Sequence, residues 1–159
     1  MNQTENHNIT LESLKGKIDI AIITATDLET KNLHSKLSPV QGYSNILKIY
    51  HEKNTYYIGV FEQYTICHVQ CSGMGSTQAG ASSVTTSQVI AHWNPKVLIM
   101  IGIAFGINSN EQNIGDILIA EAITGYNYVK LNKGKETHRG KDIPSTDNIL
   151  RKIKEIKGT

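Results

Sequence analysis

The chain has 159 residues, 39% of them hydrophobic and 19% charged, which excludes a wholly disordered protein and predicts a single globular domain. Sixteen lysines and arginines against 14 acidic residues give a net charge of +2, which argues against a nucleic-acid or membrane-surface binder. We see neither a transmembrane run nor a signal peptide. Two cysteines, Cys67 and Cys71, form neither a disulfide scaffold nor a paired zinc motif, which favours a reduced cytoplasmic protein.

The first predicted elements are a strand and a capped helix. Residues 1–16 are expected to form a polar leader, either mobile or folded as a short exposed helix. The β-branched run 18–23 predicts a buried strand. Thr26, with Glu29 three residues later, has the spacing of a capping box, so we expect a helix over 27–37.

Three strands and a second helix follow. Strands are predicted at 46–51, 55–61 and 64–72, and a helix rich in small residues at 76–92. In the third strand, side chains alternate between two faces of the sheet. One face carries Cys67, Val69 and Cys71, and the other carries His68 and Gln70.

The second half of the chain predicts two more strands and a last helix. Residues 96–101 give the strongest buried-strand signal, and another strand is expected at 117–123. The Lys- and Gly-rich stretch 130–142 is interpreted as a surface loop, and a helix is expected from Ser145. The order of elements predicts an α/β fold with a mixed central sheet. Because another buried strand would be expected after Thr159, we expect an incomplete domain whose N-terminal part is 17–159.

Two glycine-rich turns follow predicted strands and are candidate ligand-binding loops. They are the segments 72–75 and 102–106. In open α/β sheets ligands bind beyond the carboxyl ends of the strands, where glycine lets backbone N–H groups approach them. The alternative is that these glycines only permit tight turns. A Rossmann fingerprint is excluded because Gln78 stands where its third glycine is required, and no Walker A motif is present.

Glu29 is the one carboxylate with a specific placement, shortly after the first strand. It could activate water there, although the capping box alone would also explain it. The histidines show no metal-ligand spacing and are interpreted as surface or packed residues, so we expect neither a metal nor a cofactor. These histidines are His34, His51, His68, His92 and His138.

Taken together, four segments resemble the purine nucleoside phosphorylase/uridine phosphorylase superfamily. They are 18–29, 72–75, 102–106 and 114–119. The opening is most similar to methylthioadenosine/S-adenosylhomocysteine nucleosidases, and Gly-Ile-Ala-Phe-Gly is similar to phosphorylase-like domains of bacterial signalling and defence proteins. The resemblance implies a three-layer α/β sandwich and cleavage of the N-glycosidic bond of a purine nucleoside. It also implies a homo-oligomer.

The resemblance also implies a set of site residues. Glu29 matches the nucleosidase residue that orients and deprotonates the attacking water. The residues implied for substrate binding are Ala25, Ser72, Gly73, Gly102, Ile103, Ala104, Phe105 and Gly106. Hexameric phosphorylases carry an arginine and a serine or threonine where this chain has Met100 and Ile103. Neither residue can bind an anion through its side chain, so water is favoured over phosphate as the nucleophile, with phosphate kept open.

Two family elements have no counterpart in this sequence. They are the Met-Glu pair that holds the ribose hydroxyls and the late aspartate that protonates the base. We therefore expect the 159 residues alone to be inactive or impaired. The alternative function is a non-catalytic nucleoside- or nucleotide-binding sensor module. In either case the expected partner is a small-molecule nucleoside, and neither nucleic acid nor membrane.

Overall fold

A computed structural model describes most of the chain as two compact units, and each unit is described here by itself. The units are Met1–Ile103 and Ala104–Thr159. The described residues are 4–6, 14–73, 81–104, 106, 111–123, 129–132, 135–138 and 142–156.

The first unit is built on a mixed sheet of six strands. In chain order these are β1 Thr4–Asn6, β2 Ile20–Thr24, β3 Ile46–His51, β4 Asn54–Phe61, β5 Tyr64–Gln70 and β6 Val97–Met100. Their order across the sheet is β1-β3-β4-β5-β2-β6. The hairpins β3–β4 and β4–β5 are antiparallel, whereas β2 runs parallel to both of its neighbours, β5 and β6. Strand β1, which lies in the stretch expected to form a polar leader, pairs with β3.

Two helices cover opposite faces of this sheet. Helix α1, Asp27–His34, packs Leu33 against one face, and helix α2, Ser82–Trp93, packs Val89 and Trp93 against the other. The alternation of strand side chains follows from the pleat. In β5 it places Cys67, Val69 and the following Cys71 on the α2 face, as predicted. The expected three-layer α/β architecture with a mixed sheet is confirmed.

Helix α1 begins where the sequence predicted and ends earlier. Thr26 is its N-cap, and both hydrogen bonds of the capping box with Glu29 are present. The helix ends at His34 instead of residue 37, because Leu37 turns into the core and is buried. Ser38 then forms an isolated antiparallel bridge to Val60.

Strand β6 and helix α2 also differ from the expectation in detail. Among the described residues β6 pairs with β2 alone, so Met100 is exposed in a strand that was expected to be buried. Helix α2 starts at Ser82, and residues 74–80, which include the expected start at Ser76, lie outside the described residues.

The second unit contains two short antiparallel pairs and a helix. Strand β7 Ala122–Ile123 pairs with β10 Ile143–Pro144, β8 Val129–Asn132 pairs with β9 Lys135–His138, and the helix α3 is Asp147–Ile156.

Two predictions for this unit were wrong. The strand expected at 117–123 is reduced to β7, because Ile117, Leu118 and Ile119 are exposed and pair with no strand within the described segments. The loop expected at 130–142 contains most of the β8–β9 hairpin. In neither unit is a described helix long and apolar enough to cross a bilayer.

Candidate active site

The carboxylate of Glu29 is held by three backbone N–H groups. Its Oε2 accepts hydrogen bonds from Ala25 N and Thr26 N, both at 2.9 Å. Its Oε1 accepts one from Ile103 N, also at 2.9 Å, which connects the start of α1 to the loop after β6. Two of these donors come from the capping box and its neighbour, and the third comes from a residue far along the chain. The side chain therefore has one defined orientation.

These contacts also set the charge of Glu29. Partial burial raises the pKa of Glu29. The N–H donors of Ile103, Ala25 and Thr26 together lower it by more, so the pKa lies below its ordinary value. The carboxylate is therefore ionised at neutral pH. Each carboxylate oxygen has two lone pairs, so Oε2 is saturated while Oε1 keeps one position for a further donor such as water.

Gly102 leaves that oxygen accessible. A Cβ atom at this position would lie 3.1 Å from Glu29 Oε1, closer than a comfortable van der Waals contact. Glu29 lines an open cleft of about 260 Å³. The cleft is lined by Leu28, Glu29, Asn32, Leu33, Ile101, Gly102 and Ile103. A small ligand with an apolar surface and one hydrogen-bond donor near Glu29 Oε1 would fit this cleft.

A chain of side-chain hydrogen bonds holds the helix that carries Glu29. The donor and acceptor of each bond can be assigned by starting from the Asp27 carboxylate. The Asp27 carboxylate can only accept, so the amide NH₂ of Gln70 faces it at 2.9 Å. The Gln70 oxygen then accepts from Thr30 Oγ1 at 2.8 Å. Since the Thr30 proton is used, Thr24 Oγ1 must donate to Thr30, at 2.8 Å.

The same direction fixes the protonation of two histidines. Because Thr24 has used its proton, His68 Nε2 must donate to Thr24 Oγ1, at 2.9 Å. His68 Nδ1 then accepts from His34 Nε2, also at 2.9 Å. His68 is fully buried, and burial together with the neighbouring His34 lowers its pKa to about 3. A neutral His68 with its proton on Nε2 satisfies every bond in the chain.

Helix α1 is thus attached to the sheet through one of its faces. Asp27, Thr30 and His34 are separated by three and four residues, which places them on one side of the helix. Each is bonded to a side chain of β2 or β5. These bonds orient the helix, and through it the N-terminal turn that holds Glu29.

The structure brings three of the predicted site residues to Glu29. Ala25 and Ile103 contact it through their backbone N–H groups, and Gly102 lies beside Oε1. Ile103 is 68% exposed and contacts Glu29 through its backbone, so its apolar side chain does not prevent the contact.

The remaining predicted residues follow β5 or Ile103 in the chain. Ser72 is exposed and Gly73 half-buried, just after Cys71, whose N–H donates to Thr24 O. Ala104 and Gly106 belong to the second unit, and Phe105 lies outside the described residues.

Sequence reasoning missed the supporting hydrogen-bond chain. The available signal was the alternation in β5, which predicted His68 and Gln70 on one face. Their partners on β2 and α1 depend on strand register, in which Ile22 pairs with His68 and Thr24 with Gln70.

Comparison with known proteins decides the family. The family described as the Phosphorylase superfamily matches residues 19–156, almost the whole chain. The chain belongs to the phosphorylase superfamily. The resemblance predicted from the four segments is thereby confirmed, and Glu29, Gly102 and Ile103 all lie within the matched range.

Relatives of this phosphorylase-superfamily chain include named nucleosidases. A curated relative, the death domain-containing ATP nucleosidase of Amphimedon queenslandica, is 25% identical over 118 residues, covering 74% of this chain and 22% of that protein. A 5′-methylthioadenosine/S-adenosylhomocysteine nucleosidase from Colwellia psychrerythraea, solved in complex with adenine, superposes with a TM-score of 0.64 at 17% identity. That match covers 89% of this chain and 55% of the other.

A second solved structure gives the same fold. The methylthioadenosine/S-adenosylhomocysteine nucleosidase of Campylobacter jejuni has a TM-score of 0.59 and 22% identity, covering 88% of this chain and 60% of the other. The chain therefore spans about a fifth of the curated relative and somewhat more than half of each solved nucleosidase.

Proposed function

We propose that this chain forms one wall of the active site of an enzyme that hydrolyses the N-glycosidic bond of a purine nucleoside. The observation that carries the proposal is the Glu29 carboxylate, which is fixed by three backbone N–H groups in a side chain that lines an open cleft. Gly102, beside it, leaves room for a water molecule. Residues 17–159 are proposed as the N-terminal portion of the nucleosidase domain.

The proposed chemistry suits an ionised carboxylate of low pKa. Cleavage of the glycosidic bond passes through an oxocarbenium-like transition state, which carries positive charge at the anomeric carbon. A water that begins to bond to this carbon becomes far more acidic. Glu29 can accept its proton late in the reaction even though it is a weak base toward free water. Its negative charge also favours the developing cation.

The lining of the cleft supports water over phosphate as the nucleophile. No lysine or arginine is found among the described residues that line it. A phosphate dianion would meet the Glu29 carboxylate without a compensating cation, whereas a water molecule carries no such penalty. Hydrolysis is therefore proposed over phosphorolysis.

The names of the relatives support an adenine-containing substrate. Two solved relatives are named for methylthioadenosine and S-adenosylhomocysteine, one of them holds adenine, and the curated relative is named for ATP. We propose an adenine nucleoside or nucleotide as the substrate class. Self-association and a cytoplasmic location stay predictions.

Release of free base by the complete gene product tests this proposal. Methylthioadenosine, S-adenosylhomocysteine and ATP are supplied with and without phosphate, and adenine is measured by chromatography. We expect release that needs no phosphate and that Glu29→Gln lowers by about 10²–10⁴-fold. Glu62→Gln makes the same chemical change in the exposed turn after β4 and should retain full activity.

Three outcomes would contradict the proposal. Strict dependence on phosphate would make the protein a phosphorylase. Unchanged release by Glu29→Gln would remove Glu29 from the chemistry. Saturable nucleoside binding with no base release would instead support the alternative sensor module. In that module Glu29 would only hold the loop after β6 in place through its hydrogen bond with Ile103 N.

A further inference from the structure

A second cluster of polar side chains lies apart from Glu29 and shares no residue with its cleft. It consists of His51, Glu52 and His92, each of which offers a ligand atom, and these atoms lie within 4.8 Å of one another. His51 ends β3, Glu52 opens the turn that follows, and His92 lies in the last turn of α2. The cluster therefore joins a hairpin turn to the end of a helix.

The geometry is close to that of a zinc site. Zinc holds nitrogen and oxygen ligands at about 2.1 Å in a tetrahedron, which places the ligand atoms about 3.4 Å apart. His92 Nε2 and Glu52 Oε2 are already 3.6 Å apart. The His51 and His92 rings are nearly perpendicular, with centroids 4.4 Å apart, so small side-chain rotations would complete the set.

The second nitrogen of His92 has the partner that a metal-bound histidine requires. Nδ1 lies 2.9 Å from the Tyr56 hydroxyl. That hydroxyl accepts from Asn54 Nδ2, which also donates to Gln88 Oε1 on α2. With a metal ion on Nε2, Nδ1 would carry the ring proton and donate it to the Tyr56 hydroxyl. Such outer hydrogen bonds orient metal-binding histidines and fix their tautomer.

The cluster is partly open to solvent. The side chain of His92 is 14% exposed and that of Glu52 is 56% exposed, which leaves room for water to complete the coordination.

We propose that His51, Glu52 and His92 bind a divalent transition metal of the zinc class through two imidazole nitrogens and one carboxylate oxygen. The ion would connect the β3–β4 turn to the C-terminal end of α2. A borderline ion suits this mixture of nitrogen and oxygen ligands, whereas magnesium and calcium prefer oxygen alone. The site is independent of the proposed nucleosidase function.

Zinc titration of the metal-free protein by calorimetry tests the site. We expect one equivalent to bind, with an affinity that His51→Gln and His92→Gln each lower at least tenfold. Tyr56→Phe, which removes only the outer partner of His92, should lower it about 10- to 100-fold. Two controls should bind zinc as the parent does: Glu62→Gln, at the matching position of the next hairpin turn, and His138→Gln, a histidine of the second unit.

Cobalt distinguishes this site from binding by the buried thiols. Cobalt bound to His51, Glu52 and His92 should show ligand-field bands without thiolate charge-transfer absorption, whereas binding at Cys67 or Cys71 would produce that absorption. Circular dichroism without metal establishes that each variant is folded. One equivalent that persists in both histidine variants, or no binding at millimolar zinc, would reduce the cluster to an ion pair of Glu52 with His92 and overturn the proposal.

Discussion

The two faces of the central sheet are held to their helices in different ways. On the α2 face, Trp93 and Val89 pack against apolar side chains such as Tyr56 and Val69, all of them buried. On the α1 face, the contact is dominated by the directed hydrogen-bond chain through His68 and its partners.

The difference separates a face that supplies stability from a face that supplies orientation. Apolar burial is strong and non-directional, so the α2 face can tolerate small shifts of the helix. A chain of partly buried hydrogen bonds adds little net stability but is costly to break, and it permits one arrangement. The helix held in that way is the one that carries Glu29.

The largest expected effect is the loss of the Trp93 side chain. Trp93→Ala removes the largest fully buried side chain of the α2 face and should lower the free energy of unfolding by about 3–5 kcal/mol. Denaturant unfolding measures this. Ile90→Ala, on the same helix but 51% exposed, should lower the free energy of unfolding far less.

The Trp93→Phe variant separates the ring from its N–H group. Within the described part of the chain Trp93 Nε1 has no hydrogen-bond partner, so this variant should lower the free energy of unfolding by only about 1 kcal/mol. Equal losses in Trp93→Ala and Ile90→Ala would refute the packing argument.

Breaking the directed chain should have the next largest effect. His68→Leu keeps much of the side-chain volume but removes the donor to Thr24 and the acceptor of His34. We expect a loss of about 2–3 kcal/mol, measured by the same unfolding experiment. His68→Gln, which keeps a donor and an acceptor, should lose less. If leucine were as stable as the parent, the chain would have no role in holding α1.

Acidification tests the protonation state that the chain requires. The pKa of His68 is about 3 in the folded protein, against an ordinary 6.5, so the unfolded state binds more protons between these values. Stability should therefore fall as the pH drops below 6.5, by about 2 kcal/mol from this group between pH 7 and pH 5. Unfolding curves at both pH values give the change. His68→Gln should show a smaller drop, and an identical drop would assign the pH dependence to other groups.

Much of the fold follows from local sequence patterns. Alternation in β5 correctly separated Cys67 and Val69 from His68, and Thr26 with Glu29 correctly marked the start of α1. Predictions were poorer where neighbours decide the outcome. Residues 117–121 have the composition of a strand, but none of the described strands pairs with them.

The candidate site divides in the same way. The capping box predicted that Glu29 would fold back on its own helix, and the family resemblance pointed to Gly102 and Ile103. The hydrogen bond from Ile103 N, by contrast, depends on the parallel register of β2 and β6, which local sequence does not encode. His51 and His92 meet for a similar reason, since only the packing of α2 brings them together.

The smallest expected change in stability, and the sharpest test of orientation, is Gly102→Ala. The added Cβ would lie 3.1 Å from Glu29 Oε1, so the carboxylate must move by a few tenths of an ångström and weaken its bond to Ile103 N. We expect the free energy of unfolding to change by less than about 0.5 kcal/mol. If the proposed function is correct, base release should fall about tenfold, because the position of the attacking water depends on this oxygen. In a Glu29→Gln background the same substitution should add little, since both changes act through one group. Full additivity of the two losses would show that Gly102 acts on the substrate independently of Glu29.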